Sequence, residues 1–219
     1  WWTNEGKKIS KSLGNTIDPN EMIEKFGLDQ FKYFLLREVP LGNDGDFSEK
    51  SFVNRINSDL SNNLGNLIQR VVKFLYKNYD NRIPVDITSD LKNYALLKEG
   101  YELQSKIDIL MKNLQISRCL EEIFLYINNL NKFMDINQPW NTFKNSPQEA
   151  GECLSILIEA FRIVGIILQP FIPIASSKIL DILGIDKLKR NFDCINTKFS
   201  IKKNHKLNEP LAIFPRYES

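Results

Sequence analysis

Apolar residues recur every three or four positions over most of the chain, which is the spacing of amphipathic α-helices. The longest such stretch predicts one helix over residues 48–79. Its apolar stripe consists of Phe52, Ile56, Leu60, Leu64, Leu67, Val71 and Leu75. A stripe of this length needs a partner surface, so we expect the helix to pack into a larger bundle.

The same spacing predicts further helices on both sides of this one. They are expected over residues 19–27, 29–38, 89–113, 115–135, 146–170 and 173–184. Asp18 before Pro19 is a typical helix start, and Asp29 and Ser146 open the next candidates. Short strands are expected near residues 1–3, 195–201 and 211–214. The chain is therefore predicted to be mainly α, an antiparallel bundle of four or five helices with a small α+β segment at its N-terminal end.

Composition narrows the classes of protein that the chain can belong to. Its 219 residues suffice for one large or two small domains with a real core. A formal net charge of +2 argues against general nucleic-acid binding by the whole surface. One stretch is nevertheless basic, either as a solvated surface or as a contact for phosphates: Lys187, Lys189, Arg190, Lys198, Lys202, Lys203 and Lys206.

Cysteine and histidine are rare. Cys119, Cys153 and Cys194 lie far apart and His205 is the only histidine, so we expect neither a disulfide framework nor a metal site. This cysteine usage predicts a reducing, cytoplasmic location. There is no apolar run long enough for a membrane span and no secretory leader, so no membrane partner is expected.

Residues 8–15, Lys-Ile-Ser-Lys-Ser-Leu-Gly-Asn, carry the most specific chemistry. Lys8 and Lys11 are separated by small and apolar residues, and Gly14 closes a segment that has the composition of a mobile loop. Such a loop can place two ammonium charges on a polyphosphate. The alternative is a solvated linker, since runs of Lys and Ser are common on surfaces.

A second candidate site combines an amide, a guanidinium and an indole. Asn66 and Arg70 are four residues apart on the 48–79 helix, which makes them neighbours on a face beside the apolar stripe. Together they could read the edge of an unpaired base. Trp140 follows Pro139 at a helix break, where an exposed ring could stack on a base. By default, however, such an Asn–Arg pair is an ordinary helix surface, and such a tryptophan is a core residue.

Further motifs accompany these two sites. The lysine loop is followed by Thr-Ile-Asp-Pro at residues 16–19, Tyr-Phe-Leu-Leu-Arg-Glu-Val-Pro at 33–40 and Gly-Asn-Asp-Gly-Asp-Phe-Ser at 42–48. Together with the Asn-x-x-x-Arg and Pro-Trp motifs, they closely resemble the C-terminal half of bacterial methionyl-tRNA synthetase over essentially the whole chain. In that family the loop reads Lys-Met-Ser-Lys-Ser, so Ile9 replaces the usual methionine by another apolar residue.

The resemblance implies a role for each candidate residue. The ATP-binding residues would be Lys8, Ser10, Lys11 and Ser12, and of the two catalytic lysines Lys11 would contribute more than Lys8. The pocket for the CAU anticodon of methionine tRNA would consist of Asn66, Arg70, Pro139 and Trp140, with Trp140 stacking on the C. The full-length enzyme would use ATP with magnesium to make methionyl-adenylate, and then transfer methionine to the tRNA 3′ end.

The resemblance also implies two units. Residues 1–47 would be the end of the catalytic domain, with the lysine loop and a stem-contact segment. Residues 48–219 would be the anticodon-binding helical bundle of class I aminoacyl-tRNA synthetases, with a C-terminal tail folding back. Because the chain starts at Trp1 and lacks the family's His-rich motif, we expect an inactive fragment whose nucleotide-binding half, with any zinc, is missing. A monomer is expected because no dimerisation domain follows Phe214-Pro215-Arg216.

Residues 44–48, Asp-Gly-Asp-Phe-Ser, are expected to orient the two units, because acidic residues do not bind RNA phosphates directly. Two other hypotheses stay open. One is a different class I synthetase, of the leucyl, valyl or cysteinyl type, which would share the lysine loop. The other is a helical interaction module that has kept the fold and lost RNA binding.

Overall fold

The computed structural model describes residues 2–90 and 92–218. Trp1, Leu91 and Ser219 lie outside the described residues, and with them parts of the predicted first strand and of the predicted 89–113 helix. The strands are β1 Trp2–Asn4, β2 Lys7–Lys8 and β3 Gly45–Phe47. The helices are α1 Pro19–Phe26, α2 Leu28–Glu38, α3 Glu49–Arg55, a π-helical segment Ile56–Gly65, α4 Asn66–Asn78, α5 Tyr94–Lys112, α6 Ile116–Asn137, α7 Pro139–Thr142, α8 Pro147–Ile167 and α9 Pro173–Ile182. The predicted fold class, a mainly α bundle with a small α+β segment in front, is confirmed.

The three strands form one small sheet in the order β2-β1-β3. β1 is antiparallel to β2 and parallel to β3, with Thr3 opposite Asp46. Asp46 Oδ1 accepts hydrogen bonds from the Thr3 hydroxyl at 2.5 Å and from the Gly6 N–H at 2.8 Å. Both bonds favour the charged carboxylate and lower the pKa of Asp46. The acidic segment 44–48 thus ties the hairpin to the rest of the fold through Asp46, and its role in orienting the two units stays a prediction.

Asp29 stabilises the start of a distant helix, a role that was not predicted from the sequence. α1 begins as predicted, with Asp18 accepting from the Asn20 N–H at 2.7 Å and Pro19 in the first turn. α2, however, begins at Leu28, and the predicted start at Asp29 is corrected by one residue. Asp29 is buried, and its Oδ2 accepts from the Ala175 N–H at 2.6 Å. It therefore caps the first turn of α9, which is far away in sequence.

The predicted 48–79 helix is continuous but not uniformly α-helical. Ser48 caps it by accepting from the Ser51 N–H at 3.1 Å, and the π-helical segment replaces α-helix in the middle. The π pattern reaches Asn66, whose N–H donates to the Ser61 carbonyl five residues back as well as to Asn63. A Cβ on Gly65 would lie 3.2 Å from the Phe214 ring, so the glycine leaves room for the C-terminal tail.

α8 is the central helix of the bundle, and every residue from 153 to 167 is buried. The apolar stripe predicted for it covers only part of this surface, because neighbouring helices and the C-terminal tail surround it. Glu159 and Arg162 form a buried ion pair at 2.6 Å. Arg162 Nη1 also donates to the Cys194 carbonyl at 2.8 Å, and Glu159 Oε2 accepts from the Ile201 N–H at 3.0 Å. The pair therefore fixes the tail to the bundle.

The strands predicted at residues 195–201 and 211–214 are wrong within the described chain. A 3₁₀ turn, Thr197–Phe199, occupies the first of these segments. Its neighbouring backbone groups bond to side chains of α8, so no strand partner is needed there. The second segment carries no regular element.

The tail continues past the bundle and returns to the front of the molecule. Tyr217 exchanges two hydrogen bonds with the Asn57 side chain, at 2.7 and 3.0 Å, and its hydroxyl donates to the Phe26 carbonyl at 2.8 Å. An aromatic cluster of Phe26, Phe34, Phe47 and Phe52 spans the predicted boundary between residues 47 and 48. The two predicted units therefore share a core, and their boundary stays a prediction.

None of the helices in residues 2–90 and 92–218 has the length and apolar character needed to cross a membrane.

Candidate functional site

The lysine loop forms a compact turn at the edge of the small sheet. Lys8 ends β2, and residues Lys11–Leu13 make one turn of 3₁₀ helix. Ser10 caps this turn by accepting from the Leu13 N–H at 3.3 Å, and Gly14 ends it in the left-handed region with φ 63°. The Ser10 and Ser12 hydroxyl oxygens lie 2.8 Å apart. The segment whose composition is that of a mobile loop is thus folded on itself in this structure.

Asn15 closes this turn with its side chain. Its Oδ1 accepts from the Ser10 N–H at 2.9 Å, and its Nδ2 donates to the Lys8 carbonyl at 3.0 Å. Its own carbonyl accepts from Asn4 Nδ2 at 2.9 Å, which attaches the closed turn to β1. No role was predicted for Asn15. The available signal was its position directly after Gly14, where Asn is a frequent turn residue.

Both lysines of the loop point into solvent. Lys8, Lys11 and Ser12 are exposed, and Ser10 is half-buried. Within the described part of the chain, neither ammonium group is paired with a carboxylate. The loop therefore presents two exposed positive charges that form no ion pair among the described residues, an arrangement that favours an anionic ligand.

The second site brings together residues that are far apart in sequence. The Arg70 guanidinium carbon on α4 lies 5.2 Å from the centre of the Trp140 ring. Arg70 Nη2 is also 3.4 Å from Asp135 Oδ1 near the end of α6. Asn66 is exposed one turn earlier on α4. The structure therefore places Asn66, Arg70 and Trp140 on one surface, and it adds Asp135, for which the sequence pattern held no signal.

A short helix holds Trp140 in place. Gln138 adopts the left-handed conformation with φ 39°, which turns the chain out of α6 and into α7. Pro139 is buried at the start of α7, and the Thr142 hydroxyl donates to the Asn137 carbonyl at 2.8 Å. Trp140 itself is half-buried and packs against the core. Its ring is thus partly in the core and partly accessible, and buried Pro139 directly precedes it.

A polar groove of about 660 Å³ lies between α2, the π-helical segment and α6. Asparagine amides cross it, with Asn63 donating to Asn128 at 2.7 Å and accepting from Asn131 at 2.6 Å. Arg37 and Arg55 line its other end. Asn63, which lines this groove, lies three residues before Asn66 in the chain.

The basic stretch near the C-terminus is partly structural. Arg190 donates from Nε to the Ile185 carbonyl at 2.9 Å and pairs with Asp181 at 2.7 Å. Lys202 Nζ donates to the Ser200 hydroxyl at 3.2 Å. These bonds favour the interpretation of a folded, solvated surface over that of a phosphate contact.

Comparison with known proteins identifies the family. Residues 1–72 match the family model described as tRNA synthetases class I (M). Residues 83–218, more than half of the chain, match the anticodon binding domain of methionyl tRNA ligase. The chain belongs to the methionyl-tRNA ligase family. This membership removes the alternative of a leucyl, valyl or cysteinyl synthetase.

Individual members of the methionyl-tRNA ligase family match over the whole chain. The methionine–tRNA ligase of Rickettsia felis is 43% identical over 221 residues, which is 100% of this chain and 43% of that protein. The one from Fusobacterium nucleatum is 38% identical, and the match covers 35% of its length. The chain thus spans less than half of the length of these relatives.

Solved structures of the methionyl-tRNA ligase family share the fold. Mycobacterium tuberculosis methionyl-tRNA synthetase in complex with methionyl-adenylate superposes with a TM-score of 0.91 at 36% identity, over 98% of this chain and 43% of that one. Its apo form gives a TM-score of 0.88 at 34% identity, over 100% and 42% of the two chains.

Proposed function

We propose that this chain is the lysine-loop and anticodon-binding part of a methionine–tRNA ligase. The whole enzyme would make methionyl-adenylate from methionine and ATP and transfer methionine to the 3′ end of methionine tRNA. The observation that carries the proposal is the convergence of Arg70, Trp140 and exposed Asn66 on one surface of a bundle of this family. This juxtaposition also speaks against a helical module that has lost RNA binding.

At the anticodon, the Trp140 ring would stack on the C of CAU, while Asn66 and Arg70 donate to base edges. Arg70 would have to leave Asp135 for this contact. The pair is long, at 3.4 Å, and the Asp135 side chain is 63% exposed, so leaving it costs about 0–1 kcal/mol. Pro139 and the left-handed Gln138 keep the ring in place, and the nearby asparagine amides suit ribose hydroxyls.

At the lysine loop, Lys8 and Lys11 would contact the phosphates of ATP, with Ser10 and Ser12 as additional hydroxyl ligands. When the methionine carboxylate attacks the α-phosphate, negative charge builds on the departing pyrophosphate. Ammonium groups that contact this charge more closely in the transition state than in the ground state accelerate the step. Lys11, at the start of the capped 3₁₀ turn, is proposed to contribute more than Lys8.

Magnesium would be held by the ATP phosphates and not by this part of the enzyme. The described residues contain no group of three acidic, histidine or cysteine side chains that could hold a metal ion. The lysine loop itself offers hydroxyls and ammonium groups, which are not the carboxylate ligands that Mg²⁺ takes from proteins. No step of the proposal therefore depends on a metal bound by these residues.

The remaining parts of the proposal concern organisation. Residues 1–47 would complete the catalytic domain, and residues 48–219 would form the anticodon-binding bundle. The enzyme is proposed to be monomeric. It is also proposed to be cytoplasmic, which the three free, buried cysteines support.

The test is binding of this chain to an anticodon stem-loop carrying CAU and to one with a changed first base, at fixed salt. A preference of about 1–3 kcal/mol for CAU is expected. Equal binding of both loops would contradict an anticodon pocket in this bundle. The Trp140→Ala variant locates the contact, since it should lower CAU binding while the helix content stays unchanged.

A further inference from the structure

Asn15 is the residue on which the conformation of the lysine loop depends. One amide side chain bridges the loop, accepting from the Ser10 N–H at 2.9 Å and donating to the Lys8 carbonyl at 3.0 Å. We propose that Asn15 is a positioning residue: it holds the backbone of the loop in the conformation from which Lys8 and Lys11 contact the polyphosphate. This inference rests on the proposed ATP-binding function of the loop.

The two bonds act on the backbone from which both lysine side chains extend. Lys8 is held through its own carbonyl. Lys11 follows Ser10, whose N–H is bound by Asn15 and whose hydroxyl caps the 3₁₀ turn that Lys11 begins. Without the amide, these peptide groups would form hydrogen bonds to water instead, and the loop would sample many conformations. Charged groups that must first be ordered stabilise a transition state less than preordered ones.

The two bonds from the Asn15 side chain form a bridge across the loop, and this bridge is also anchored to the sheet. The Asn15 carbonyl accepts from Asn4 Nδ2 at 2.9 Å, and Asn4 lies on β1, opposite Phe47 of β3. The loop is therefore attached to the sheet as a closed unit. Asparagine fits this position because its side chain carries both a donor and an acceptor, whereas an ionised aspartate has no donor for the Lys8 carbonyl.

The experiment uses the whole ligase that contains this chain and measures methionine-dependent ATP–pyrophosphate exchange. Asn15→Ala should lower the turnover number about 10-fold or more, because small displacements of catalytic groups have large effects on rate. Methionine binding and the thermal unfolding midpoint should stay close to wild type. Asn20→Ala is the matched control, since Asn20 is exposed five residues further along the chain and its side chain bonds to none of the described residues; only its backbone N–H donates to Asp18.

A double-mutant cycle with Lys11→Ala separates positioning from a general structural effect. If Asn15 acts through Lys11, the double variant should be little slower than Lys11→Ala alone. Independent, additive losses would overturn the proposal, and so would wild-type turnover in Asn15→Ala while Lys11→Ala is slow. If Lys11→Ala itself retained full activity, the proposed function of the loop would fail first.

Asn4→Ala provides a second variant that leaves both amide bonds of Asn15 in place. It removes only the anchor to β1, so its turnover should lie between those of the wild type and Asn15→Ala. A loss of turnover larger than that of Asn15→Ala would contradict the proposal, since the bond from Asn4 would then matter more than the two bonds of the Asn15 side chain.

Discussion

The Arg70 guanidinium lies over the ring of Trp140, with its central carbon 5.2 Å from the ring centre. The two residues come from different helices, α4 and α7, and they are 70 positions apart in the chain. A guanidinium over an indole is a favourable cation–π pair, and each residue restrains the other. The surface is therefore ordered before any ligand arrives, which lowers the entropic cost of binding.

Trp140→Ala should weaken binding of the CAU stem-loop by about 1–3 kcal/mol, the usual loss for one stacked base. The cause is the loss of a flat apolar face that α7 holds in place. Fluorescence anisotropy with a labelled stem-loop measures the effect. Tyr76→Ala is the control, because Tyr76 is an aromatic residue on the neighbouring helix α4 and is 48% exposed. Equal losses in both variants would mean that exposed aromatic area in general, and not this ring, binds the RNA.

Arg70→Lys should reduce the discrimination between CAU and a changed anticodon more than it reduces the overall affinity for the RNA. Lysine keeps the positive charge but loses the planar set of donors that can address a base edge. The preference for CAU over a changed first base should therefore fall by about 1–3 kcal/mol. The slope of log K against log salt should stay nearly the same, because the number of cations is unchanged. A changed slope with intact preference would show that Arg70 contacts a phosphate and not a base.

Part of this site could be predicted from the sequence. Helical periodicity alone makes Asn66 and Arg70 neighbours on a face beside the apolar stripe. Their contact with Trp140 could not be derived in this way, because it depends on the left-handed turn at Gln138 and on how α6 and α7 pack. Asp135 was missed because it acts through a long-range contact, and Asn15 because its bonds lie within a loop; neither leaves a periodic pattern.

The fold shows the same difference: features that depend on neighbouring residues were predictable, and features that depend on distant contacts were not. Helix starts with local caps, such as Asp18 and Ser48, were predictable from neighbouring residues. Asp29 looked like another such cap, but it bonds to Ala175, 146 positions away. The burial of Glu159 and Arg162 was not predictable from a stripe, since it results from α8 being surrounded on every side.

Lys11→Ala in the whole ligase should lower the rate of methionine activation by about 10²-fold, the order expected for one lost transition-state contact. Methionine affinity should change little, because the ammonium group acts on the phosphates. Pre-steady-state adenylate formation separates the two effects. Lys7→Ala is the control, since Lys7 is also exposed and lies on β2, just before the loop. A parallel loss of methionine affinity would argue against a role confined to the transition state.

Thr3→Val should raise the pKa of Asp46 towards its ordinary value. In the native chain the Thr3 hydroxyl, and after it the Gly6 N–H, stabilise the carboxylate and depress its pKa. A carboxyl group whose pKa is depressed in the native state stabilises the fold at pH values above its pKa in the unfolded chain, about 3.9 for aspartate. This contribution disappears as the pH falls through the native pKa. A carboxyl NMR titration measures the shift. Thr16→Val, at an exposed threonine, should leave the Asp46 titration unchanged.

Replacing Arg162 by Met should cost about 3–5 kcal/mol of folding free energy, because Glu159 would remain buried without its charge partner. Both side chains are at most 1% exposed. Denaturant unfolding measures the loss. Glu102→Gln breaks the exposed Lys98–Glu102 pair at 3.9 Å and should cost no more than about 0.5 kcal/mol.

Removing both charges together, as in Glu159→Leu with Arg162→Met, should not restore full stability. The Cys194 carbonyl and the Ile201 N–H would still lose their partners, and buried backbone groups without hydrogen bonds are costly. The double variant should therefore remain less stable than wild type, and hydrogen exchange should increase around residues 194–201. Recovery of wild-type stability would mean that the pair compensates only its own burial and does not hold the C-terminal tail.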